Sequence, residues 1–553
     1  MRHIFFIIIL MASTVVSAQN TMYNDTKYRE TSSTYDDRLT QTADLFNASR
    51  LVMRRNPALV SWISATDSAE ICRKSAEICD KSAPNLREKS IISASYMNET
   101  EGENYLFYNG NHTNAANIMA GGEMNVANIG VLYGRASYAR EKQRGIYQNY
   151  ITRPELYYPY LVGDTTGTGN AHNERYSLSG GLSIPMKSLR LGIGAYYEGV
   201  ATSKTEQPRR SSYSYLFRLS FALAKTTNRY ILAAKLYPEI AHQTLNVQSS
   251  LLTYRFMQYY SFGQWNRKES TSGYSYARNA KILGAGTEIT GRLLPQNDGW
   301  DALITLAYCY RWMQTEETSF KNLYASRTHH LSHSIVASRK LTDNLWLTIM
   351  DDGEINIRKG EEGVYQSQLQ DEELRLYDDV EIGKNKLYQL TTANENLQAR
   401  LAMSIAPSRK IYVDAATSYR RWHETYKMPD LHSTTNAIIP GMKLGYKGET
   451  SKNDIEVNVG FSCVSTFGNE YNVTDESTIS QAENLKTQSS NLNSQTAQAL
   501  IPYLVRTENN WLLQSVLYFS HKLSARRSCG FKLSGAYTKQ KQSYINFSIH
   551  YLF

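Results

Sequence analysis

The densest group of histidines in the chain is the segment THHLSH, residues 328–333. In an extended strand His329 and His333 lie on one face, while His330 points to the opposite face. Imidazoles spaced in this way are able to bind a transition metal. Histidine is also found with tyrosine where a barrel meets the membrane surface, and we favour that interfacial role. We therefore assign no metal ligand.

Acidic residues form a second group with chemical potential, at residues 351–354 (DDGE), 371–373 (DEE) and 378–379 (DD). A calcium loop needs an ordered ligand spacing that these runs lack. We interpret them as one solvated long loop, with divalent ions bridging lipopolysaccharide as the alternative. The chain has no GxSxG motif, and its strands bring no serine or Asp/His set together at one rim. We therefore predict no catalytic residue, no cofactor and no enzyme activity.

The chain has five cysteines, an odd number. Cys309, Cys463 and Cys529 lie in strand-like segments, where cysteine behaves as a small apolar residue. Cys72 and Cys79 lie in the duplication SAEICRK–SAEICDK. In a loop they can form a disulfide, but no further zinc ligands lie nearby. We expect a disulfide or free thiols at this pair.

Charged residues recur at the alternate, polar positions of strand-like segments, and they are the residues most informative about function. We predict that they line the interior of a barrel, as a filling salt-bridge lattice or as a selectivity ladder in a channel. Arg400 and Asp414 are expected to be diagonal neighbours across the turn at Pro407. The predicted lumen-lining residues are Arg190, Glu198, Arg218, Arg400, Asp414, Glu456 and Lys532.

The elements that would position these residues show strict alternation of apolar and polar side chains, as in Phe217, Leu219 and Phe221 with Arg218 and Ser220 between them. Such alternation indicates strands with two different faces. Short connections such as residues 185–188 and 342–344 alternate with long polar ones at 141–173, 243–278, 359–395 and 469–509. Alternating short and long connections are typical of outer-membrane barrels, in which the short ones lie on the periplasmic side.

The strand count follows from these connections. Seven short hairpins, the final strand and segments near Ile91, Asn117 and Val131 give about 18 strands, with 14 or 16 as alternatives. We predict an all-β fold, a transmembrane up-and-down antiparallel β-barrel over residues 89–553. The strands near Ile91 and Phe553 must pair, because a membrane barrel leaves no open edge.

The N-terminal region has two parts. Residues 1–18 have a basic start, an apolar run and a small-residue site at Ala18, which predicts a cleaved signal peptide. Residues 19–88 are expected to be a periplasmic or plug segment with a short helix that ends at Asn56-Pro57. Export, 41 tyrosines and a mean hydropathy of −0.47 favour the outer membrane of a Gram-negative cell.

The C-terminal strand has apolar residues at Phe547, Ile549, Tyr551 and Phe553 on one face. This ending resembles the signal that the barrel-assembly machinery of Gram-negative outer membranes recognises. The resemblance implies that machinery as a partner, together with outer-membrane lipid and lipopolysaccharide. Nothing in the chain indicates a nucleic-acid partner, and the net charge of +9 is modest for its length.

The chain is similar to the uncharacterised outer-membrane β-barrels of Bacteroidota over nearly all of its mature length. The likeness rests on the tyrosine-rich strands, on residues 56–58 (NPA) and on the ending 551–553 (YLF). The NPA segment also resembles that of barrels that take up long-chain fatty acids, although the glycine usually close behind is missing. The rival resemblance is to TonB-dependent receptors, which are barrels of about 22 strands with a large globular plug. Residues 19–88 are too few to form such a plug, which argues against that family.

The function that these observations favour is a channel or transport-accessory barrel that passes or binds a small solute. Two alternatives stay open: an outer-membrane hydrolase, and a structural or adhesive barrel whose long loops bind partners.

Overall fold

The structure is a computed structural model of the chain. It describes residues 52–63, 89–101, 110–126, 129–146, 149–164, 169–204, 209–248, 256–262, 267–273, 275–295, 299–317, 323–371, 376–428, 430–472, 510–524, 527–539 and 542–553. The predicted signal peptide, Cys72, Cys79 and residues 473–509 lie outside these ranges. Among the described residues, no helix is long and apolar enough to cross a bilayer.

Eighteen strands form one closed antiparallel barrel in which each strand pairs with its neighbours around the ring. The barrel strands are β1 (Lys89–Thr100), β2 (His112–Val126), β3 (Gly130–Ile146), β5 (Gly169–Met186), β6 (Leu189–Lys204), β7 (Arg209–Thr226), β8 (Tyr230–Gln248), β11 (Ser275–Leu293), β12 (Asp301–Glu317), β13 (Tyr324–Thr342), β14 (Leu345–Asp371), β15 (Leu376–Ala406), β16 (Arg409–Lys427), β17 (Asp430–Glu449), β18 (Asn453–Asn472), β19 (Asn510–Lys522), β20 (Ser528–Thr538) and β21 (Ser543–Leu552). A separate three-stranded sheet contains β4 (Tyr160–Asp164), β9 (Phe256–Phe262) and β10 (Arg267–Gly273).

The seam between the first and last strands closes the barrel. Strands β1 and β21 pair antiparallel, with Tyr96 opposite Phe547. The backbone N–H of Ser90 donates to the carbonyl of Phe553 at 2.9 Å, and the N–H of Phe553 donates back at 3.0 Å. The predicted pairing of the terminal strands is confirmed, and the sheet has no open edge there.

The two faces of the strands meet different surroundings. Phe217 and Leu401 are 36% and 43% exposed on the outer face, whereas Arg400 and Glu456 are 1% and 4% exposed on the inner face. The exterior is therefore apolar and the interior polar, which confirms the alternation predicted from the sequence.

The strands extend well beyond the segments with clear alternation. The predicted long connection 359–395 is mostly strand, since β14 runs to Asp371 and β15 begins at Leu376. The interpretation of residues 351–354 as part of a solvated loop is therefore wrong. Residues 351–354 carry charged side chains on both faces of β14, which hides the alternation there. Beyond Lys359 the strands rise above the membrane and have water on both faces, so their sequence resembles a loop.

The described N-terminal residues, 52–63, form two short helical stretches joined at Asn56. Asn56 is extended (φ −102°, ψ 114°), and its side-chain oxygen accepts from the N–H of Ala58 at 3.1 Å. A 3-10 turn, Pro57–Leu59, follows and leads into helical residues as far as 63. Proline is compatible with the first position of a helix, so the chain resumes helical structure after the break.

Candidate functional site: the interior of the barrel

Residues 149–164, which we call the interior loop, leave β3 and fold into the barrel instead of extending outward. The loop contains a four-residue helix, Pro154–Tyr157, followed by β4. Its apolar side chains Tyr150, Tyr157 and Leu161 are at most 1% exposed and belong to a core cluster with inward residues of the barrel wall. The wall residues of that cluster include Leu216, Leu245, Ile282, Met313, Leu390 and Trp422.

The interior loop is held at both sides of the lumen. The guanidinium of Arg153 forms an ion pair with Glu198 on β6. The hydroxyl of Tyr158 donates to Glu424 Oε1 on β16 at 2.7 Å. Strands β6 and β16 are separated by β7, β8 and β11–β15 on one side of the ring, so they lie on nearly opposite walls. The loop therefore crosses the interior.

Side chains of the wall satisfy the backbone carbonyls of the loop. Arg210 Nη1 donates to the carbonyl of residue 149 at 2.8 Å, and Gln243 Nε2 donates to that of residue 152 at 2.6 Å. Arg278 and Arg358 donate to the carbonyls of residues 160 and 158 at 2.8 and 2.6 Å. A buried loop needs such partners because unpaired backbone groups are costly away from water.

Two features oppose this packing. Both carboxylate oxygens of Glu155 are shielded from solvent and accept no hydrogen bond from another residue. Burial raises the pKa of Glu155 from 4.5 to about 7, although its own backbone N–H and then Arg153, Arg175 and Arg358 act in the opposite direction. Arg153 has a left-handed backbone (φ 60°) that a residue with a β-carbon rarely adopts. The buried loop therefore keeps local costs that leaving the lumen would relieve.

Residues 52–63, which we call the N-terminal insert, occupy the interior near the short turns. Met53, Ala58 and Leu59 are fully buried against inward residues of β7, β8, β12 and β13. A β-carbon on Gly192 of β6 would overlap the backbone of Ala58, so the wall and the insert approach as closely as glycine allows.

Polar contacts also join the N-terminal insert to the wall. Arg190 Nη1 donates to Ser61 Oγ at 2.9 Å, and Ser183 Oγ donates to the carbonyl of residue 58 at 3.1 Å. Lys235 Nζ donates to the carbonyl of residue 55 at 3.2 Å. The insert therefore lies inside the barrel, at the end opposite to the interior loop.

Ion pairs also occupy the inner wall of the barrel. Glu239 is 2% exposed and pairs with Arg218 at 2.6 Å and with Arg311. Asp414 is paired with Arg400 at 2.6 Å and with Lys443 at 3.1 Å. Buried charges of this kind are tolerated only where opposite charges and hydrogen bonds compensate for the lost water.

The seven predicted lumen residues do not form a single site. Arg190 contacts the N-terminal insert, Glu198 the interior loop, and Arg218 pairs with Glu239. The hydroxyl of Tyr412 donates to Glu456 at 2.8 Å. All seven side chains are buried or half-buried at inward positions of the wall: Arg190, Glu198, Arg218, Arg400, Asp414, Glu456 and Lys532.

One geometric detail of this set is wrong in the sequence interpretation. Arg400 and Asp414 are directly opposite in the register of β15 and β16, not diagonal. The turn at residues 407–408 is tighter than expected, because Ala406 already pairs with Arg409. Directly opposite side chains are closer than diagonal ones, which permits the bidentate contact from Arg400 Nε and Nη2.

Sequence reasoning missed Arg153, Tyr158, Glu239 and Glu424. Glu239 and Glu424 lie on the inward parity of β8 and β16, so the alternation used elsewhere would have found them. Arg153 and Tyr158 have no such signal, because they lie in a loop, where the alternation of strand residues does not apply.

The histidine segment has two different faces in the structure. His330 is buried inside, with Nδ1 at 2.6 Å from Asn356 Oδ1. His329 faces outward beside Tyr308, whose hydroxyl lies 2.8 Å from its Nδ1. His333 also faces outward, within 3.3 Å of Asp351 and 3.1 Å of Glu395. Cys309, Cys463 and Cys529 form no disulfide with any residue that the structure describes.

The C-terminal aromatic residues belong to the outer surface. Phe547, Ile549, Tyr551 and Phe553 are all exposed, between 36% and 53%. They lie on the same face as the rest of the apolar exterior, where the barrel meets lipid.

A closed antiparallel barrel with an apolar outer surface and a charged interior is an outer-membrane β-barrel. The chain belongs to the family of unknown function DUF6850, whose sequence model matches residues 83–553. No curated protein is significantly similar to the sequence.

Solved structures with some similarity are outer-membrane proteins. The copper transporter OprC is 9% identical with a TM-score of 0.39, and the alignment covers 81% of this chain and 61% of OprC. The siderophore receptor PiuA from Acinetobacter baumannii is 7% identical with a TM-score of 0.36, covering 84% of this chain and 82% of PiuA. The ferripyoverdine receptor of Pseudomonas aeruginosa is 9% identical with a TM-score of 0.36, covering 84% and 72%. Similarities this low carry no argument about function.

Proposed function

We propose that the protein is a gated transport barrel of the outer membrane, in which the interior loop closes the passage for a small polar solute. The observation that carries the proposal is the crossing of the lumen by the interior loop, from Glu198 on β6 to Glu424 on β16. A barrel of about 18 strands is wide enough for a water channel unless chain segments fill it.

The contacts of the interior loop favour a removable gate over a permanent core. Beside the apolar packing of its tyrosine and leucine side chains, the loop is attached by polar contacts: an ion pair, a hydroxyl–carboxylate bond and several arginine–carbonyl bonds. Water can replace such partners when the loop moves out, whereas apolar burial has no equivalent in solvent. The unpaired carboxylate of Glu155 and the left-handed Arg153 lower the stability of the closed state further.

The charged wall supports a polar solute. With the loop displaced, Glu198, Arg210 and Arg278 would lose their loop partners and face the lumen. Both signs of charge would then line the passage, which suits a polar or zwitterionic solute better than an apolar one. We assign the protein no enzymatic step. A Bacteroidota source is part of the proposal, supported by the tyrosine-rich strands.

Single-channel recording in planar bilayers tests the proposal. The wild-type barrel is compared with a variant in which residues 149–164 are replaced by a short glycine–serine linker. We expect rare or small openings in the wild type and frequent, larger openings in the loop-replaced barrel. The control replaces the exposed tip between β16 and β17 around Met428, which is 70% exposed; it should conduct like the wild type.

Two outcomes would contradict the proposal. A loop-replaced barrel that folds and stays silent would indicate a filled scaffold with a structural or adhesive role. Equal conductance in the wild type and the loop-replaced barrel would show that the solute path does not pass the interior loop. Folding is checked independently by heat-modifiable migration on gels, so silence from misfolding is recognised.

A further inference from the structure

A cluster of three ionisable side chains lies on the outer face of the barrel, away from the interior just described. His333 on β13, Asp351 on β14 and Glu395 on β15 have ligand atoms that all lie within 4.8 Å of one another. Their side chains are 30%, 26% and 41% exposed. They therefore form an accessible cluster across three neighbouring strands.

The strand register places this cluster among lipid-facing side chains. His333 is opposite Gly353, which is opposite Glu395. Asp351 is opposite Ile335 on one side and Leu397 on the other, and both are exposed on the outer face. Directly paired residues point to the same side of a sheet, so all three ionisable side chains face outward.

Apolar residues lie on both sides of the cluster along the strands. Leu331 and Ile355, nearer the long-loop end, are 52% and 44% exposed. Ile335 and Leu397, nearer the short turns, are 36% and 44% exposed. The cluster therefore lies within the apolar band, where charged side chains are destabilising and are rarely placed without a function.

We propose that His333, Asp351 and Glu395 bind a divalent transition-metal ion of the zinc class on the outer wall of the barrel. The geometry supports this ligand. His333 Nε2 lies 3.3 Å from Asp351 Oδ2 and 3.1 Å from Glu395 Oε1. In a tetrahedral zinc centre with bonds of about 2.0–2.1 Å, neighbouring ligand atoms are about 3.3 Å apart.

Charge balance supports the same conclusion. A neutral imidazole with two carboxylates carries two negative charges, and a divalent cation brings the sum to zero. Neutrality matters here because the cluster faces hydrocarbon. The fourth coordination position would be taken by a neutral water molecule, which keeps the charge of the site at zero.

Gly353 provides a second, independent feature of the site. It lies between His333 and Glu395 in the register, and a β-carbon there would overlap Glu395 Oε2 and His333 Cε1. Only a residue without a side chain lets the histidine and the glutamate meet above this strand. Because both overlapping atoms are ends of flexible side chains, Gly353→Ala separates the two ligands while the fold is kept.

Titration calorimetry with Zn²⁺ on the full-length protein in detergent, after removal of metal by a chelator, tests the proposal. We expect the wild type to bind one Zn²⁺ that His333→Gln does not bind. Gly353→Ala should weaken binding at least about tenfold, since it displaces ligands without removing one. His329→Gln is the matched control: this histidine is on the same strand and face but contacts Tyr308 instead, and its loss should change nothing.

A background with Cys72, Cys79, Cys463 and Cys529 replaced by serine removes every thiol except that of the buried Cys309 as a competing ligand. Visible absorption of the Co²⁺-loaded protein adds a signature of tetrahedral coordination. Equal Zn²⁺ binding by the wild type and His333→Gln, or no binding by the wild type, would overturn the proposal. If His333→Gln fails to fold, Asp351→Asn and Gly353→Ala make the same comparison, and binding undiminished in both would also refute it.

Discussion

The bond from Tyr158 to Glu424 offers a clean way to test whether the interior loop is a gate. Tyr158→Phe removes one hydroxyl from the loop and leaves the ring, which packs edge-on against Tyr388 and Trp422. Glu424 keeps two donors, the hydroxyl of Tyr388 at 2.8 Å and Trp422 Nε1 at 3.1 Å. The substitution therefore does not leave a buried carboxylate without partners.

The size of the effect follows from the type of bond. A hydrogen bond to a charged group contributes about 1.5–3 kcal/mol. The open form of the loop exposes both partners to water, so most of that contribution favours the closed form. Its loss should raise the ratio of open to closed barrels by about 10- to 150-fold, at roughly 1.4 kcal/mol for each factor of ten.

The assay is single-channel open probability in planar bilayers at one voltage and salt concentration. Tyr388→Phe is the matched control, because it removes a hydroxyl from the same carboxylate but belongs to the wall on β15. We expect Tyr158→Phe to increase opening and Tyr388→Phe to leave it nearly unchanged. An equal response to both substitutions, or none to either, would refute the view that Tyr158 holds a gate.

Four further expectations follow from the contacts. Asp414→Asn leaves Arg400 buried without its carboxylate and should lower the free energy of unfolding by about 3–5 kcal/mol, measured by denaturant titration in lipid vesicles; a loss under about 1 kcal/mol would contradict the buried pair. The pKa of Glu155 is raised from 4.5 to about 7 by burial, so the closed loop binds the extra proton; closure should weaken as the pH rises from 4.5 to about 7 and then level off. The single-channel open probability should therefore increase over that pH range, and Glu155→Gln should abolish this pH dependence. Gly192→Ala should displace the N-terminal insert, because the new β-carbon meets backbone, and protease should then cleave the insert faster than in the wild type. Deleting Phe553 removes two backbone hydrogen bonds at the seam and should reduce the heat-modifiable folded fraction on gels; an unchanged fraction would show that the seam does not depend on it.

The barrel itself could be predicted from the sequence because the membrane imposes a strict rule. A strand such as Phe217 to Phe221 meets hydrocarbon on one face and a polar interior on the other. Apolar and polar residues therefore alternate along its sequence. Short hairpins add a second local signal, and together they gave the number of strands and the inward direction of Arg400 and Glu456. Where both faces meet water, as beyond Lys359 on β14, the alternation disappears. The sequence therefore predicts a loop over residues 359–395, where the structure is mostly strand.

The tertiary structure alone decided which segments fill the barrel and which distant residues meet. The apolar run at residues 156–162 favours burial of the interior loop, but nothing local shows which wall residues it meets, since partners such as Glu198 and Glu424 lie far away in sequence. The outward group of His333, Asp351 and Glu395 needed the register as well, because a shift of one residue in any of three strands would turn a ligand to the opposite face. Alternation is local and can be read along the chain, whereas the meeting of side chains across a closed sheet depends on how all eighteen strands are aligned.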